Sequence, residues 1–330
     1  MDETLRWGIL GAGIIANRFA DALTHEDGHE LVAVGSKTPE RAREFAERHG
    51  GRPVDYDALL NDPTVDVVYV ATTHNFHHEN ARAALEQGKH VLVEKPITVN
   101  ANQLRDLMEL ARDRGFFLME AMWTRFLPSW QELRARVASG AIGDVRHMDV
   151  LFGGIVPPHY EQRLKDPHLA GGVSLDMGVY PLAYACHALG ELPTEIASMM
   201  RPHTTGVDEI ACYLLRFPSG CLVTISTSFD LAIAWRASLH GTKGSIDHPD
   251  FPHRESFTIR RHDGRGADES VEEVQVEHEE NTFVYQVREV ARCVREGALE
   301  SDVVPLGESL AILDAIDGMR ATWGLRYPFE

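Results

Sequence analysis

Cysteine is scarce and scattered in this sequence: four in 330 residues, at positions 186, 212, 221 and 293, with no Cys-x-x-Cys pair. That excludes a disulfide framework and a zinc ribbon, and leaves reduced, buried thiols as the expectation. Also missing is any run of about 18 or more apolar residues, so no membrane-spanning helix is expected. The opening MDETLRWGILGAG has neither the basic start nor the apolar stretch of a secretory signal, which points to the cytoplasm. Positive charge is in deficit: 32 lysines and arginines face 50 aspartates and glutamates, a formal net charge of −18. Such a surface repels phosphate backbones, so a nucleic-acid partner is not expected. There are no internal repeats, low-complexity tracts or disordered linkers. What is present is an ordinary globular composition, 44% hydrophobic and 25% charged, in a chain long enough for two domains.

The first 120 or so residues alternate short β-branched runs with amphipathic stretches. LRWGILGA (5–12), ELVAVGSK (30–37), VDVVYVATT (65–73), HVLVEKP (90–96) and FFLMEAM (116–122) read as strands. Helices are expected over 13–26, 39–50 (Pro39 opening it, Gly50 closing it), 77–88 and 99–115. Strands alternating with helices of about a dozen residues imply βαβ units and a parallel sheet. After residue 122 the pattern changes. VRHMDVLFGGI (145–155), EIASMMRPH (195–203), EIACYLLRF (209–217), CLVTISTSF (221–229), WRASLHG (235–241) and SFTIRRHD (256–263) follow one another as strands, with a hairpin signal at 218–220. The last 48 residues return to helical periodicity. The predicted fold is an α/β Rossmann domain over residues 1–121, followed by an α+β domain over 122–330 with a large, mainly antiparallel open sheet.

Gly11-x-Gly13-x-x-Ala16 ends the first strand and opens a helix, the context a dinucleotide fingerprint requires. Gly11 permits the tight turn, Gly13 lets backbone approach a pyrophosphate, and Ala16 allows close helix–strand packing. Ile14 and Ile15 continue this turn and count among the candidate cofactor contacts. The helix N-terminus offers free N–H groups to the phosphates. At the end of the second strand, where an NAD enzyme usually carries Asp or Glu, the sequence has Ser36-Lys37-Thr38, with Arg41 a turn further on. No carboxylate repels a 2′-phosphate there, and Lys37 and Arg41 can neutralise one, so NADP is the expected cofactor. Glu94-Lys95-Pro96 ends the fourth predicted strand, at the carboxyl edge where ligands of open α/β sheets gather.

GAGIIA, ATTHNFHHENA and GKHVLVEKP together resemble the glucose–fructose oxidoreductase / inositol dehydrogenase family, and the resemblance covers essentially the whole chain. MEAMWTRFLPSW (119–130), GGVSLDMGVYPLAYA (171–185) and the C-terminal segment are similar to its dimeric dihydrodiol dehydrogenase and NADP-dependent xylose dehydrogenase branch. The resemblance implies Lys95 and Tyr180 as a catalytic pair, with Asp176 binding a substrate hydroxyl or positioning the pair. Thr72, His74, His77 and Glu94 match its cofactor-binding segments. A tyrosine base suits oxidation of an alcohol. Its ordinary pKa near 10 is too high at neutral pH, and a neighbouring ammonium lowers it. Zinc on histidines 74, 77 and 78 is not expected, since no fourth ligand is evident; no metal is expected at all. Trp123, Arg125 and Phe152 are candidate substrate contacts, with His159 a weaker one. The implied partner is a small sugar, polyol or trans-dihydrodiol, and the implied assembly a homodimer, or a tetramer of such dimers, packed through the second domain's sheet. Two alternatives stand: an enzyme that holds NADP tightly and cycles between two sugars, or a non-catalytic NADP-binding sensor.

Overall fold

The structure is a computed structural model that describes residues 4–262 and 268–330. Its first part runs β1 (Leu5–Leu10), α1 (Ile14–Thr24), β2 (His29–Gly35), α2 (Pro39–His49), β3 (Arg52–Val54), α3 (Tyr56–Leu60), β4 (Val67–Val70), α4 (His77–Glu86), β5 (His90–Glu94), α5 (Ala101–Arg114) and β6 (Leu118–Ala121). Next come α6 (Pro128–Ala138), β7 (Val145–Gly153), α7 (Pro158–Lys165) and α8 (Val179–Leu189). Seven strands follow: β8 (Glu195–Pro202), β9 (Asp208–Arg216), β10 (Leu222–Ser228), β11 (Arg236–Gly241), β12 (Gly244–Pro249), β13 (Ser256–His262) and β14 (Asp268–Gln275). The chain ends with α9 (Val284–Glu296) and α10 (Leu306–Trp323). The predicted strand over 256–263 is β13, and its last residue, Asp263, lies outside the described residues.

Packing divides the chain into two compact units, Met1–Trp123 with Glu279–Leu310, and Thr124–His278 with Ala311–Glu330. The first unit holds a six-stranded sheet in the order β3-β2-β1-β4-β5-β6, parallel throughout. The strand order reverses between β1 and β4, the switch point at which doubly wound sheets bind ligands. Register places Leu10 beside both Gly35 and Val70, and Val70 beside Val93. The loops that follow β1, β2, β4 and β5 therefore emerge at one edge. Strands β1, β4, β5 and β6 are mostly apolar and buried, with Trp7 and Ile9 fully buried and Phe19 of α1 stacked on Tyr69 of β4.

The sequence puts all of 122–330 in the second domain, whereas residues 279–310 pack with the first unit. Arg18 of α1 donates to Thr282 and lies over the Phe283 ring, and the Leu118 N–H donates to the Leu299 carbonyl. Periodicity reveals that α9 has an apolar face, but not which core receives it.

The second unit holds an eight-stranded sheet, β14-β13-β12-β11-β7-β10-β9-β8. Every pairing is antiparallel except β7 with β10, which is parallel. Met148, Val150, Tyr213, Val223, Ile225 and Leu239 are buried on the face that α8 covers. On the opposite face Met199, Leu214 and Leu222 are exposed. In this unit β12, β14, α6, α7 and α8 were not placed from sequence, nor were β3 and α3 in the first. The β14 sequence DESVEEVQ shows why, since an edge strand rich in carboxylates carries little apolar alternation. No helix among the described residues is long and apolar enough to cross a membrane.

Candidate active site

In the first unit the β1–α1 turn has the form a diphosphate needs. Gly11 has φ +102°, and a Cβ there would lie 2.5 Å from the Ala71 carbonyl oxygen, so only glycine fits. Gly13 caps α1 without a side-chain hydrogen bond, and a Cβ on it would project into open space in front of the helix N-terminus. The first N–H groups of α1 are thus presented outward, as anion binding requires. Ile14, at the first helical position, is 66% exposed, while Ala16 is fully buried against the sheet. These residues fit a dinucleotide.

At the end of β2, the Ser36 Oγ accepts the Thr38 N–H. Lys37 is exposed, with its ammonium 3.5 Å from the centroid of the Phe76 ring. Arg41 is exposed on the first turn of α2. Phe76 belongs to the loop after β4, so this loop and Lys37 at the end of β2 are in contact. Sequence reading had no signal for that pairing, because the two aligned segments are forty residues apart along the chain.

The Glu94-Lys95-Pro96 turn is held from three sides. The Glu94 carboxylate is buried, accepts the Tyr69 hydroxyl and the Lys95 N–H, and has its pKa pushed up to about 6 by that burial. The Pro96 carbonyl lies 2.8 Å from His77 Nδ1, and the Thr72 carbonyl 3.1 Å from His77 Nε2. Glu120, buried on β6, accepts the Ile97 N–H and the Ser309 hydroxyl. His77 is fully buried, which together with the neighbouring His74 drives its pKa down to about 3. Both of its ring nitrogens face backbone, so it shapes the loop that carries Lys95, whatever else it does. His78 instead pairs with Asp106 of α5. Thr72 accepts from Asn80, and His74 is buried edge-on to His77. Tyr69 and Glu120 were missed by sequence reading; their only signal is a polar group inside an otherwise apolar strand.

Trp123, expected as a substrate wall, is 6% exposed, with its ring 5.8 Å from Phe283 and the Arg18 guanidinium over it. Arg125 is also buried, and its charge helps depress the pKa of His187 in the second unit.

In the second unit Tyr180 is the second residue of α8, preceded directly by a π-helical turn, Ser174–Gly178. Pro181 lacks an N–H and its ring excludes the carbonyl four residues back; widening the turn accommodates it, and such π turns occur often at functional sites. Asp176 and Tyr180 lie on consecutive turns of this segment. Arg163 of α7 reaches Asp176 at 3.5 Å. Tyr180 meets Phe152, at the end of β7, edge to face at 5.5 Å. Phe152 also touches Trp235, whose indole N–H donates to the Gly153 carbonyl, and Phe251. His159 lies exposed on α7, packed on Tyr160.

The helix carrying Tyr180 is anchored by Asp208, whose buried carboxylate accepts both the N–H and the hydroxyl of Ser174. Tyr213 completes the cluster by donating to Ser174, and burial raises the Asp208 pKa to about 6. A Cβ at Gly171 would strike the Leu164 carbonyl oxygen at 2.5 Å, and Gly172 has φ +128°. The Gly171-Gly172 pair therefore allows the helix to start against its neighbours. Trp235, Asp208 and Tyr213 had not been singled out from sequence.

Comparison with known proteins settles the lineage. Residues 5–122 match the GFO/IDH/MocA oxidoreductase family, NAD-binding Rossmann fold, and residues 130–247 match the GFO/IDH/MocA C-terminal domain. The chain belongs to this family. It is accordingly an oxidoreductase with an NAD(P)-binding Rossmann domain and a second, mainly antiparallel α+β domain. It is 33% identical over 351 residues to trans-1,2-dihydrobenzene-1,2-diol dehydrogenase of Bos taurus, covering 98% of each chain. The 3-ketoreductase of Actinomadura kijaniata, solved with NADP and TDP-benzene, superposes with a TM-score of 0.87 at 28% identity, covering 97% of this chain and 98% of the other. An aldose–aldose oxidoreductase of Caulobacter crescentus shares the fold, with a TM-score of 0.87 at 24% identity over 98% of both chains.

Proposed function

We propose that this protein is an NADP-dependent dehydrogenase or reductase acting on CH–OH groups of a sugar, polyol or trans-dihydrodiol, with Tyr180 as general acid/base and Lys95 assisting it. The observation that carries the reading is the three-sided clamp on the Glu94-Lys95-Pro96 turn at the carboxyl edge of β5. An exposed surface lysine would need no such support. Bound NADP supplies the hydride acceptor or donor. In the oxidising direction Tyr180 takes the hydroxyl proton as hydride leaves the same carbon; in reduction it returns that proton to the carbonyl oxygen. The Lys95 ammonium favours phenolate over phenol and polarises the substrate oxygen. Asp176, oriented by Arg163, accepts from a second substrate hydroxyl. Phe152 and Trp235 give a ring-shaped substrate an apolar wall beside Tyr180.

NADP rather than NAD is favoured by Ser36, Lys37 and Arg41, because no carboxylate of the β2 end stands against a 2′-phosphate. The relatives' names support the substrate class: one acts on a dihydrodiol and one is a ketoreductase bound to NADP. The exposed Met199, Leu214 and Leu222 form an apolar patch on the β8–β9–β10 part of the second sheet's open face, and a second copy of the chain is the proposed cover. The test is the absorbance of NADPH followed against a panel of aldoses, inositols, trans-dihydrodiols and dicarbonyls, with NAD(H) alongside. Turnover of at least one class with NADP(H) is expected. NADP binding without turnover of any of them would favour a sensor instead.

A further inference from the structure

The open face of the second sheet carries a group of side chains that hydride transfer does not use. His147 and Asp149 are two residues apart on β7, so they project from the same face. His240 of β11 is the direct antiparallel partner of His147, also on that face. The two imidazole rings stack at 5.9 Å with an interplanar angle of 23°, and His147 Nδ1 lies 3.3 Å from Asp149 Oδ2. One ligand atom from each of the three residues falls within 4.8 Å of the other two.

We propose that His147, Asp149 and His240 form a binding site for a divalent transition-metal ion of the zinc type. Two imidazoles and one carboxylate are a borderline donor set, suited to zinc rather than to calcium or magnesium, which prefer oxygen ligands throughout. Tetrahedral zinc with ligand bonds of about 2.0–2.2 Å sets its donor atoms roughly 3.3–3.6 Å apart; His147 Nδ1 and Asp149 Oδ2 already stand 3.3 Å apart, and the three donors lie within 4.8 Å of one another. The surroundings also suit a metal. Thr224 of β10 faces Asp149 in the strand register and donates to its other oxygen, Oδ1, leaving Oδ2 directed at His147. Outer hydrogen bonds of this kind orient a ligating carboxylate. On the other side Ser238 faces Asp149 and is itself bonded to Asp247 at 2.9 Å, adding negative charge one strand away. The net charge of −18 draws cations to the protein.

Three protein ligands leave a fourth position open to water or to a donor from outside the chain. The site would tie β7 to β11, and it lies on the face of β7 opposite Phe152, against which Tyr180 packs. The sequence expectation of no metal considered only histidines 74, 77 and 78. This group escaped it because His240 lies 93 residues from His147, and only the β7–β11 pairing joins them.

The test is calorimetric titration of the full-length, tag-free protein with Zn²⁺, repeated with Co²⁺, whose visible absorption reports tetrahedral coordination. One ion per chain is expected. His240→Ala and Asp149→Asn should each weaken binding by at least about tenfold, and Thr224→Val, which touches only the outer hydrogen bond, by roughly tenfold. These residues are on a sheet surface, and metal-free melting curves of the variants will show whether each is folded. Bound metal should also raise the melting temperature of the wild type but not of His240→Ala. Failure of the wild type to bind at micromolar Zn²⁺ would overturn the proposal. So would binding whose affinity and cobalt spectrum are unchanged in both ligand variants, since the other histidines among the 17 would then account for it.

Discussion

His77 Nδ1 lies 2.8 Å from the carbonyl oxygen of Pro96, while its Nε2 lies 3.1 Å from that of Thr72. One ring therefore spans the loop after β4 and the turn after β5. A neutral imidazole has a single N–H, so at neutral pH it donates to only one of these carbonyls at a time. Burial holds it neutral. His77→Leu should cost about 1–3 kcal/mol of stability, the penalty for leaving a buried acceptor unmatched, and should lower kcat by loosening Lys95. His77→Gln keeps one donor and should recover most of the stability. Urea midpoints with turnover numbers for both variants check this; equal turnover in His77→Leu and wild type would separate the clamp from catalysis.

Lys37 over Phe76 sets up a second test. The ring holds the ammonium at the end of β2 before any phosphate arrives. A charge-assisted hydrogen bond to a phosphate is worth about 1.5–3 kcal/mol, so Lys37→Ala should weaken NADP by roughly 10- to 100-fold and leave NAD nearly unchanged. Phe76→Leu should show the same selectivity with a smaller effect. Dissociation constants for both cofactors, from quenching of protein fluorescence, decide the matter. Parallel losses for NAD and NADP would mean that Lys37 does not read the 2′-phosphate.

Tyr180→Phe removes one oxygen and keeps the edge-to-face contact with Phe152. If the hydroxyl is the acid/base, kcat should fall by roughly 10²- to 10⁴-fold, with the NADP dissociation constant unchanged. Lys95→Ala should lower kcat as well, and because the phenolate loses its cation it should move upward the limb that Tyr180 sets, the rising limb in oxidation and the falling limb in reduction. A Tyr180→Phe enzyme with wild-type turnover would remove the residue from the mechanism.

How much of this was legible in the sequence differs between the two units. Parallel β/α alternation leaves long, separate apolar periods, so β1, β2, β4, β5 and β6 could all be placed, and Gly11 and Gly13 with them. The second sheet was visible as runs of strands, but its central parallel pair, β7 with β10, was not, since nothing local specifies a partner 75 residues away. The same limit governs the site residues. Lys95 and Tyr180 lie in recognisable motifs, whereas Glu120, Asp208 and Tyr213 act on those motifs from other strands. Trp123 shows the same limit. An aromatic at a domain edge suggests a ligand wall, but the partner that covers it in its own unit, Phe283, comes from a segment 160 residues later, whose place in the first core cannot be read from periodicity.

Stability should fall as the protein is acidified below about pH 6.5, and the buried groups give the sign. His187 and His248 of the second unit have pKa values lowered by burial to about 3 and about 4. Between those values and the unfolded value near 6.5, the unfolded chain takes up protons that the folded chain refuses, so stability is lost as pH falls. Asp208 acts oppositely: burial raises it to about 6, so from there down to its unfolded value the folded chain binds the extra proton and gains stability. His278 of the same unit is lowered by burial as well, so the histidines outnumber the one raised carboxyl and the unit loses stability as pH falls through that window. In the first unit His77, lowered to about 3, and Glu94, raised to about 6, oppose each other directly. Glu94→Gln keeps a side-chain acceptor for Tyr69 but removes the opposing titration. It should therefore steepen the acid loss between about pH 6 and 4.5 by roughly 1.4 kcal/mol per unit, while His248→Asn should make it shallower. Urea unfolding of the three proteins at half-unit intervals from pH 7.5 to 4.5 measures both slopes. A slope that Glu94→Gln leaves unchanged would mean that this carboxyl titrates in the folded protein as it does in the unfolded chain.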